Sequence, residues 1–440
     1  MSDLPPGWVL TKLGDLGRWI GGGTPSKAVS EYWGGSIPWV SPKDMKVDRI
    51  RDTADHISEE ALQASSTNLV AAGSVLLVTR SGILSHTLPV AVTDVDAALN
   101  QDLKALIPGG NVDSAYVAWA LRSNARRVLD SCSKAGTTVA NIDTKRLLDF
   151  EIPVAPIAEQ RRIVAAIEEQ FSRLDHAENA FRVIGARLRQ LADSVHTYGL
   201  AGSWDEMPLR ELSERITKGT TPSSLGRPFT AEGVLYVKAE SLVNGVIEHT
   251  RCAHVDQETD DLLTRSRLAE DDVLITIAGT LGRVGVVRAR DLPANTNQAV
   301  CLVRLHKREF TPWLSAWLRG PAARSLLASG GRGVGLQNLN LKQIGELSVP
   351  VPALEEQRRI VAEVEQQLSL IDSLRAAIES AQKRSAALRR AILERAFRGE
   401  LVPQDPADEP ASVLLDRIRA ERAAAPPRLW TRNQPEESYP

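Results

Sequence analysis

A stretch of thirteen residues occurs twice. Pro153-Val154-Ala155-Pro156-Ile157-Ala158-Glu159-Gln160-Arg161-Arg162-Ile163-Val164-Ala165 returns 197 residues later as Pro350-Val351-Pro352-Ala353-Leu354-Glu355-Glu356-Gln357-Arg358-Arg359-Ile360-Val361-Ala362. The same offset pairs Thr24-Pro25-Ser26 with Thr221-Pro222-Ser223, Trp39 with Tyr236, Asn100-Gln101 with Asn297-Gln298, Asn141 with Asn338 and Lys145 with Lys342. It continues through Asp175 and Asp372, and Leu191 and Leu388, to Gly202 and Gly399. One spacing kept across segments of such different character marks a tandem duplication, and so long a period means two copies of a domain rather than a solenoid of short units. The predicted order is globular part, helix, globular part, helix.

From about Pro156 to Gly202 helix breakers are scarce. Ile167, Leu174, Phe181, Leu188 and Val195 recur every seven residues, Val164 and Phe171 form a second seam, and Glu178 and Gly185 interrupt the pattern. Val364, Ile371, Ile378 and Ile392 keep the register in the second copy, Ser385 interrupts it, and Val361, Leu368 and Leu388 widen the stripe. This heptad pattern predicts long helices whose apolar stripe needs a partner, and the duplicate supplies one. Each helix is expected to start after its Pro-rich entry and to end at a glycine cap, Gly202 or Gly399. The globular parts carry short β-type runs between turns: Ile37–Val40, Ser74–Thr79, Val273–Ile277 and Val284–Val287. Helical stretches follow at Ala115–Leu129 and Pro312–Ala328, which predicts β-rich α+β domains. The tail has Pro403, Pro406 and Pro410, a short amphipathic piece at Val413–Arg422, and a Pro-rich end. The expected division is 1–152, 153–202, 203–349, 350–402 and 403–440.

Composition narrows the function classes. Of 440 residues, 43% are hydrophobic and 25% charged, an ordinary globular balance, and no apolar run reaches the roughly 18 residues of a membrane span. The acidic, Pro-containing N-terminus does not read as a secretory signal. Cys132, Cys252 and Cys301 lie too far apart for a CxxC pair, which fits a reducing cytoplasm. With 53 basic and 55 acidic residues the chain has no global pull towards nucleic acid; residues 1–152 hold 15 Lys/Arg against 17 Asp/Glu. The sequence has no phosphate-loop motif, HExxH pair or GxSxG elbow, and its histidines lack ligand spacing, His249 and His254 included, so no metal site is expected. Gly331-Arg332-Gly333-Val334-Gly335 reads as a tight turn rather than a dinucleotide loop.

The helix entries at Pro153–Val164 and Pro350–Val361, the turns Gly22-Gly23-Thr24-Pro25-Ser26 and Gly219-Thr220-Thr221-Pro222-Ser223, and the tail segments Phe397-Arg398-Gly399-Glu400-Leu401 and Asp408-Glu409-Pro410-Ala411 together resemble the DNA-specificity subunits of type I restriction–modification systems. The likeness spans almost the whole chain. It implies two target recognition domains, each reading half of a split double-stranded DNA site, and two antiparallel helices that set the spacer in a pseudo-two-fold arrangement. It further implies docking of two modification subunits that bring S-adenosylmethionine and methylate adenine. A restriction subunit using ATP and Mg is a further possible partner. The chain itself would be a non-catalytic, cytoplasmic component with no cofactor of its own and no membrane contact. Two other classes stay open at this level: a self-contained DNA methyltransferase, and a coiled-coil adaptor with no DNA role.

Sequence information in DNA is read at base edges, whereas phosphate contacts supply affinity, so a domain neutral overall needs polar side chains converging on one face. The loop candidates are Thr24, Ser26, Lys43, Arg80, Ser81 and Gln101 in the first copy, and Thr221, Ser223, Lys238, Arg283 and Gln298 in the second. Turn chemistry is the plain alternative for each. Residues kept in both copies suit a scaffold better than base reading, because different half-sites call for different contacts; Asn141 and Asn338 fall there. Trp39 and Tyr236 read as core aromatics. At the helix entries, Glu159, Gln160, Arg161 and Arg162 and their copies Glu356, Gln357, Arg358 and Arg359 are candidate partner contacts. Glutamate suits the positive end of the helix dipole and arginine does not, which leaves a local ion pair or a partner surface.

Overall fold

The computed structural model describes residues 4–134, 139–329 and 338–424. The glycine-rich run at 331–335 and the end of the tail after 424 lie outside them. The chain divides into two compact units, Met1–Asn179 with Gln382–Pro440, and Ala180–Ala381. Each takes one β-rich head and parts of both long helices, Ile157–Gly199 and Leu354–Phe397.

The described residues of the first head form eleven strands: β1 (Val9–Lys12), β2 (Gly17–Gly21), β3 (Trp33–Val40), β4 (Arg49–Ile50), β5 (His56–Ile57), β6 (Leu69–Val70), β7 (Val75–Val78), β8 (Val90–Thr93), β9 (Ala97–Leu99), β10 (Leu103–Pro108) and β11 (Glu151–Val154). They form sheets in the orders β2-β10-β7-β8-β4 and β5-β3-β9-β6, with β1 paired to β11. The runs read as strands become β3 and β7; β7 is buried on both faces, as its unbroken apolar sequence demands. The helical stretch is two helices, Ser114–Ser123 and Ala125–Cys132, because Asn124 turns back and bonds Ala120 O through both its backbone N–H and its side-chain Nδ2.

The second head repeats the plan with β12 (Glu206–Pro208), β13 (Ser213–Lys218), β14 (Val234–Val237), β15 (Leu242–Val243), β16 (Val246–Ile247), β17 (Ala253–Val255), β18 (Val273–Thr276), β19 (Val284–Val286), β20 (Ala294–Thr296), β21 (Val300–Leu305) and β22 (Ser348–Pro350). Its orders β13-β21-β18-β19 and β17-β14-β20 match β2-β10-β7-β8 and β5-β3-β9 of the first head, including the parallel pairs β3/β9 and β14/β20. Among the described residues no strand extends these orders in the places of β4 and β6, and β15 pairs with β16. Here too the helical stretch breaks, into Thr311–Arg319 and Pro321–Ser329, since Pro321 disfavours a helical Gly320.

The two long helices pack antiparallel within each unit. In the first unit Phe171 lies against the Trp119 ring and under Arg389, while Glu178 accepts from Ser385 Oγ at 2.6 Å. Two of the residues that interrupt the heptads are therefore partners, with Ser385 buried and Glu178 half-buried. In the second unit Leu188 and Ala192 pack on Ile371, and Arg375 donates to Leu188 O. Gly399, with φ of +74°, terminates the second helix in the left-handed conformation that glycine adopts freely. The expectation for Gly202 is corrected: the first helix ends three residues earlier, at Gly199, where a Cβ would collide with Val364.

The amphipathic tail piece is the helix Ala411–Ala424. Its Leu414, Leu415 and Ile418 are buried in the core of the first unit, Ala411 N–H donates to Gly7 O, and Gly110 N–H donates to Glu421.

Candidate nucleic-acid interface

One end of each head collects the loop candidates. In the first, β2 runs into Gly22-Gly23-Thr24, which lies directly on the β9–β10 turn: a Cβ on Gly22 would come within 2.2 Å of Asn100 O. Thr24 donates its hydroxyl proton to the Gln101 side-chain oxygen. Asn100 Oδ1 accepts from Asp102 N, and Asp102 pairs with Arg80 at 2.6 Å. Arg80 also bridges to Asn141, and Ser81 N donates to Ala140 O. Thr24, Gln101, Arg80 and Ser81 are thus one polar cluster, with Lys43 on the turn after β3. Ser26 stands further out, its Oγ accepting from Ala28 N.

The second head reproduces the frame. Thr221 donates to Gln298, and Gly219 lies on Thr296 O as Gly22 lies on Asn100 O. Ile142 N donates to Thr79 O in the first head and Leu339 N donates to Ile277 O in the second, which makes Ala278 the counterpart of Arg80. The aromatic pair also holds: Trp39 Nε1 donates to Gly23 O and Tyr236 Oη to Thr220 O. Both rings are buried and act as braces for these turns. Arg283 does not join the cluster; its side chain lines a cleft beside the long helices. Ser223 is exposed next to Thr221.

Three chosen cations have acidic partners: Lys43 with Asp55 at 2.7 Å, Arg80 with Asp102, and Lys238 with Glu240 at 2.9 Å, which holds the Glu240 carboxyl below its usual range. Solvent screens ion pairs near the surface, so a phosphate or base edge can replace the carboxylate at little loss. Lys104, on β10 opposite Gly21, was missed because it sits mid-strand. Burial pushes its pKa down and no carboxylate offsets that. Its counterpart is the buried Cys301, whose thiol burial pushes up to about 12.

The helix-entry candidates need correction. Glu159 and Gln160 are buried, not surface residues. Glu159 accepts from Trp8 Nε1 at 2.9 Å; Gln160 donates to Ala155 O and accepts from Asp113 N. Arg162 pairs with Asp408 at 2.6 Å. In the copy, Glu356 accepts from Trp204 Nε1, and buried Gln357 donates to Pro352 O. These side chains fasten the helix entry to the head, as the near-repeat of Trp8 by Trp204 could have signalled. Arg161, Arg358 and Arg359 are exposed; Arg358 pairs with Glu355 at 2.8 Å and Arg359 approaches Glu363 at 3.7 Å. Among the described residues no cluster has a metal-binding arrangement, and no helix is long and apolar enough to cross a membrane.

Comparison with known proteins agrees with this geometry. The specificity subunit of the Escherichia coli type I restriction enzyme EcoR124I/EcoR124II is 47% identical over 158 residues, 36% of this chain and 39% of that protein, so the match spans well under half its length. The EcoKI specificity subunit of Escherichia coli K12 is 25% identical over an alignment covering 96% of this chain and 97% of its own. A chain of a solved type I restriction–modification system shares the fold with a TM-score of 0.71 at 19% identity, over 91% of this chain and 100% of that one. The type I restriction modification DNA specificity domain matches twice, over residues 5–180 and 202–382, and on that double match the chain belongs to the type I restriction–modification DNA-specificity family.

Proposed function

We propose that this chain is the DNA-reading component of a type I system and that each head reads one half of a bipartite double-stranded site. One observation carries the reading: the two heads share a frame and differ in the chemistry mounted on it. Thr24–Gln101 and Thr221–Gln298 are the same turn pair, whereas Arg80 faces Ala278, Lys104 faces Cys301 and Lys43 faces Glu240 as counterparts. Two readers of different half-sites need that combination, since base-edge contacts change with the bases read. Thr24, Gln101, Thr221 and Gln298 then order the turns, and Arg80, Lys43, Lys104 and Lys238 supply contacts.

The functional division follows the duplication: 1–152 and 203–349 as recognition domains, 153–202 and 350–402 as spacer helices, 403–440 as tail. The spacer helices fix the number of unread base pairs and carry two modification subunits, with Arg161, Arg358 and Arg359 as outward contacts. Methyl transfer from S-adenosylmethionine, and any ATP- and Mg-dependent cleavage, belong to partner subunits, and the chain works in the cytoplasm without catalysis of its own. The test is a gel shift on random-sequence duplexes with and without a modification subunit, followed by sequencing of the bound pool. The expected result is a two-part motif, with weak binding by the lone chain. Replacing residues 203–349 by another member's head should change one half only. A change in both halves, or a motif in one block, sinks the reading.

A further inference from the structure

The two halves differ where the head meets the long helices. In the first unit this recess has a volume of about 310 Å³ and is plugged. Trp119 fills it against Phe171, Arg122 lies over the Trp119 ring and Arg389 over Phe171. Its charges balance: Arg122 pairs with Asp48 at 2.8 Å, and Arg389 pairs with Glu178 and with Asp175. In the second unit every plug is gone. Trp119 becomes Ala316, Phe171 becomes Leu368, Arg389 becomes Ala192 and Asp48 becomes Gly245. The hydrogen bonds confirm the last correspondence, for Val92 N donates to Asp48 O where Val286 N donates to Gly245 O. Arg122 is kept as Arg319 and Asp175 as Asp372; the volume rises to about 520 Å³.

The chemistry of this enlarged cleft is one-sided. Arg189, Arg251, Arg283, Arg319, Arg324 and Arg375 line it, against Asp193 and Asp372. Arg324 pairs with Asp193, Arg375 with Asp372 at 3.2 Å, and Arg251 with Glu248 at 2.7 Å. Arg189, Arg283 and Arg319 have no carboxylate at ion-pair distance among the described residues. Arg319 donates to Ser315 O, and burial pushes its pKa down against the weaker opposing pull of Glu365 and Asp372. His196 donates to Ala192 O through Nδ1, and its buried Nε2 has no partner. With six guanidiniums against two carboxylates the recess is poorly neutralised as it stands, because desolvated charge such as that of Arg319 is unfavourable until paired.

We propose that this cleft of the second unit is a binding site for a small polyvalent phosphate anion, such as inorganic triphosphate or the phosphate chain of a nucleotide. Planar guanidinium forks match phosphate oxygens bidentately, and the lining has six arginines and no lysine. The volume lies within the range of small-ligand sites and is far too narrow for a duplex to enter. The site goes beyond DNA reading and does not rest on it.

The test is isothermal titration of the full chain with inorganic tripolyphosphate at fixed ionic strength. One anion per chain is expected. Arg319→Gln and Arg189→Gln should each weaken binding at least tenfold, and exposed Arg126→Gln, in the first unit, should leave it unchanged. If Arg319→Gln lowers the melting temperature without ligand, exposed Arg189→Gln decides. No heat from the parent chain, equal affinities in all variants, or stoichiometric displacement by a short duplex overturns the proposal, the last outcome making the cleft a stretch of DNA-backbone track.

Discussion

At the residue scale, two desolvated ionisable groups, one buried and one half-buried, reveal what their positions are for. Glu159 is buried at the helix entry, and desolvation raises its pKa above 4.5 despite the Trp8 hydrogen bond and nearby Arg162. The folded state therefore holds this proton more tightly than the unfolded chain. The favourable contribution is present below the unfolded value and is lost as pH rises through the folded one. Glu159→Gln should raise the melting temperature at pH 7, with the difference vanishing in acid; a thermal-denaturation series against pH checks it. Lys104 works in the opposite sense. Its lowered pKa means that the folded state releases the proton first, so stability should climb as pH rises through the folded value towards 10.5. Lys104→Met should therefore melt at or above the parent temperature at pH 7 yet bind cognate DNA several-fold more weakly. A gel shift alongside the melt separates that outcome from simple loss of fold.

At the scale of elements, the long helices join by an apolar stripe with a polar insert. Glu178 accepts from Ser385 and approaches Arg389 Nε at 3.3 Å, so three helix-face side chains satisfy one another. Removing one member strands the others, whereas replacing the pair by apolar groups restores packing. Glu178→Leu alone should destabilise the first unit by about 1–2 kcal/mol, and Glu178→Leu with Ser385→Leu should recover much of that. Denaturant melts of the four-membered mutant cycle give the coupling, expected at about 1 kcal/mol. The heptads made both helices legible because a seven-residue period survives interruption. That the interruptions meet each other was not legible, since the antiparallel register comes from packing. The helix entries mislead for a related reason: charged letters suggest a surface, but Trp8 and Asp113 close over them.

At the scale of the whole molecule, the tail is structural. Ala411, Leu414, Leu415 and Ile418 belong to the core of the first unit, each large side chain worth about 1.5–3 kcal/mol on burial. Truncation after Gly399 should abolish cooperative melting of the first unit while the second keeps its own transition in calorimetry; Leu414→Ala should lower only the first transition, by about 2–5 kcal/mol. The sequence by itself determined the duplication, the two long helices, the β-rich heads and the polar turns, because periodicity, glycine and proline punctuation and repeated letters are local signals. Tertiary structure alone decided which polar residues converge, which helix-entry charges are buried, where the tail docks and how the two equivalent recesses came to differ. Those outcomes depend on side chains far apart in sequence competing for the same space and the same charge partners, as Asp48 and Arg122 do in one half and Gly245 and Arg319 fail to do in the other.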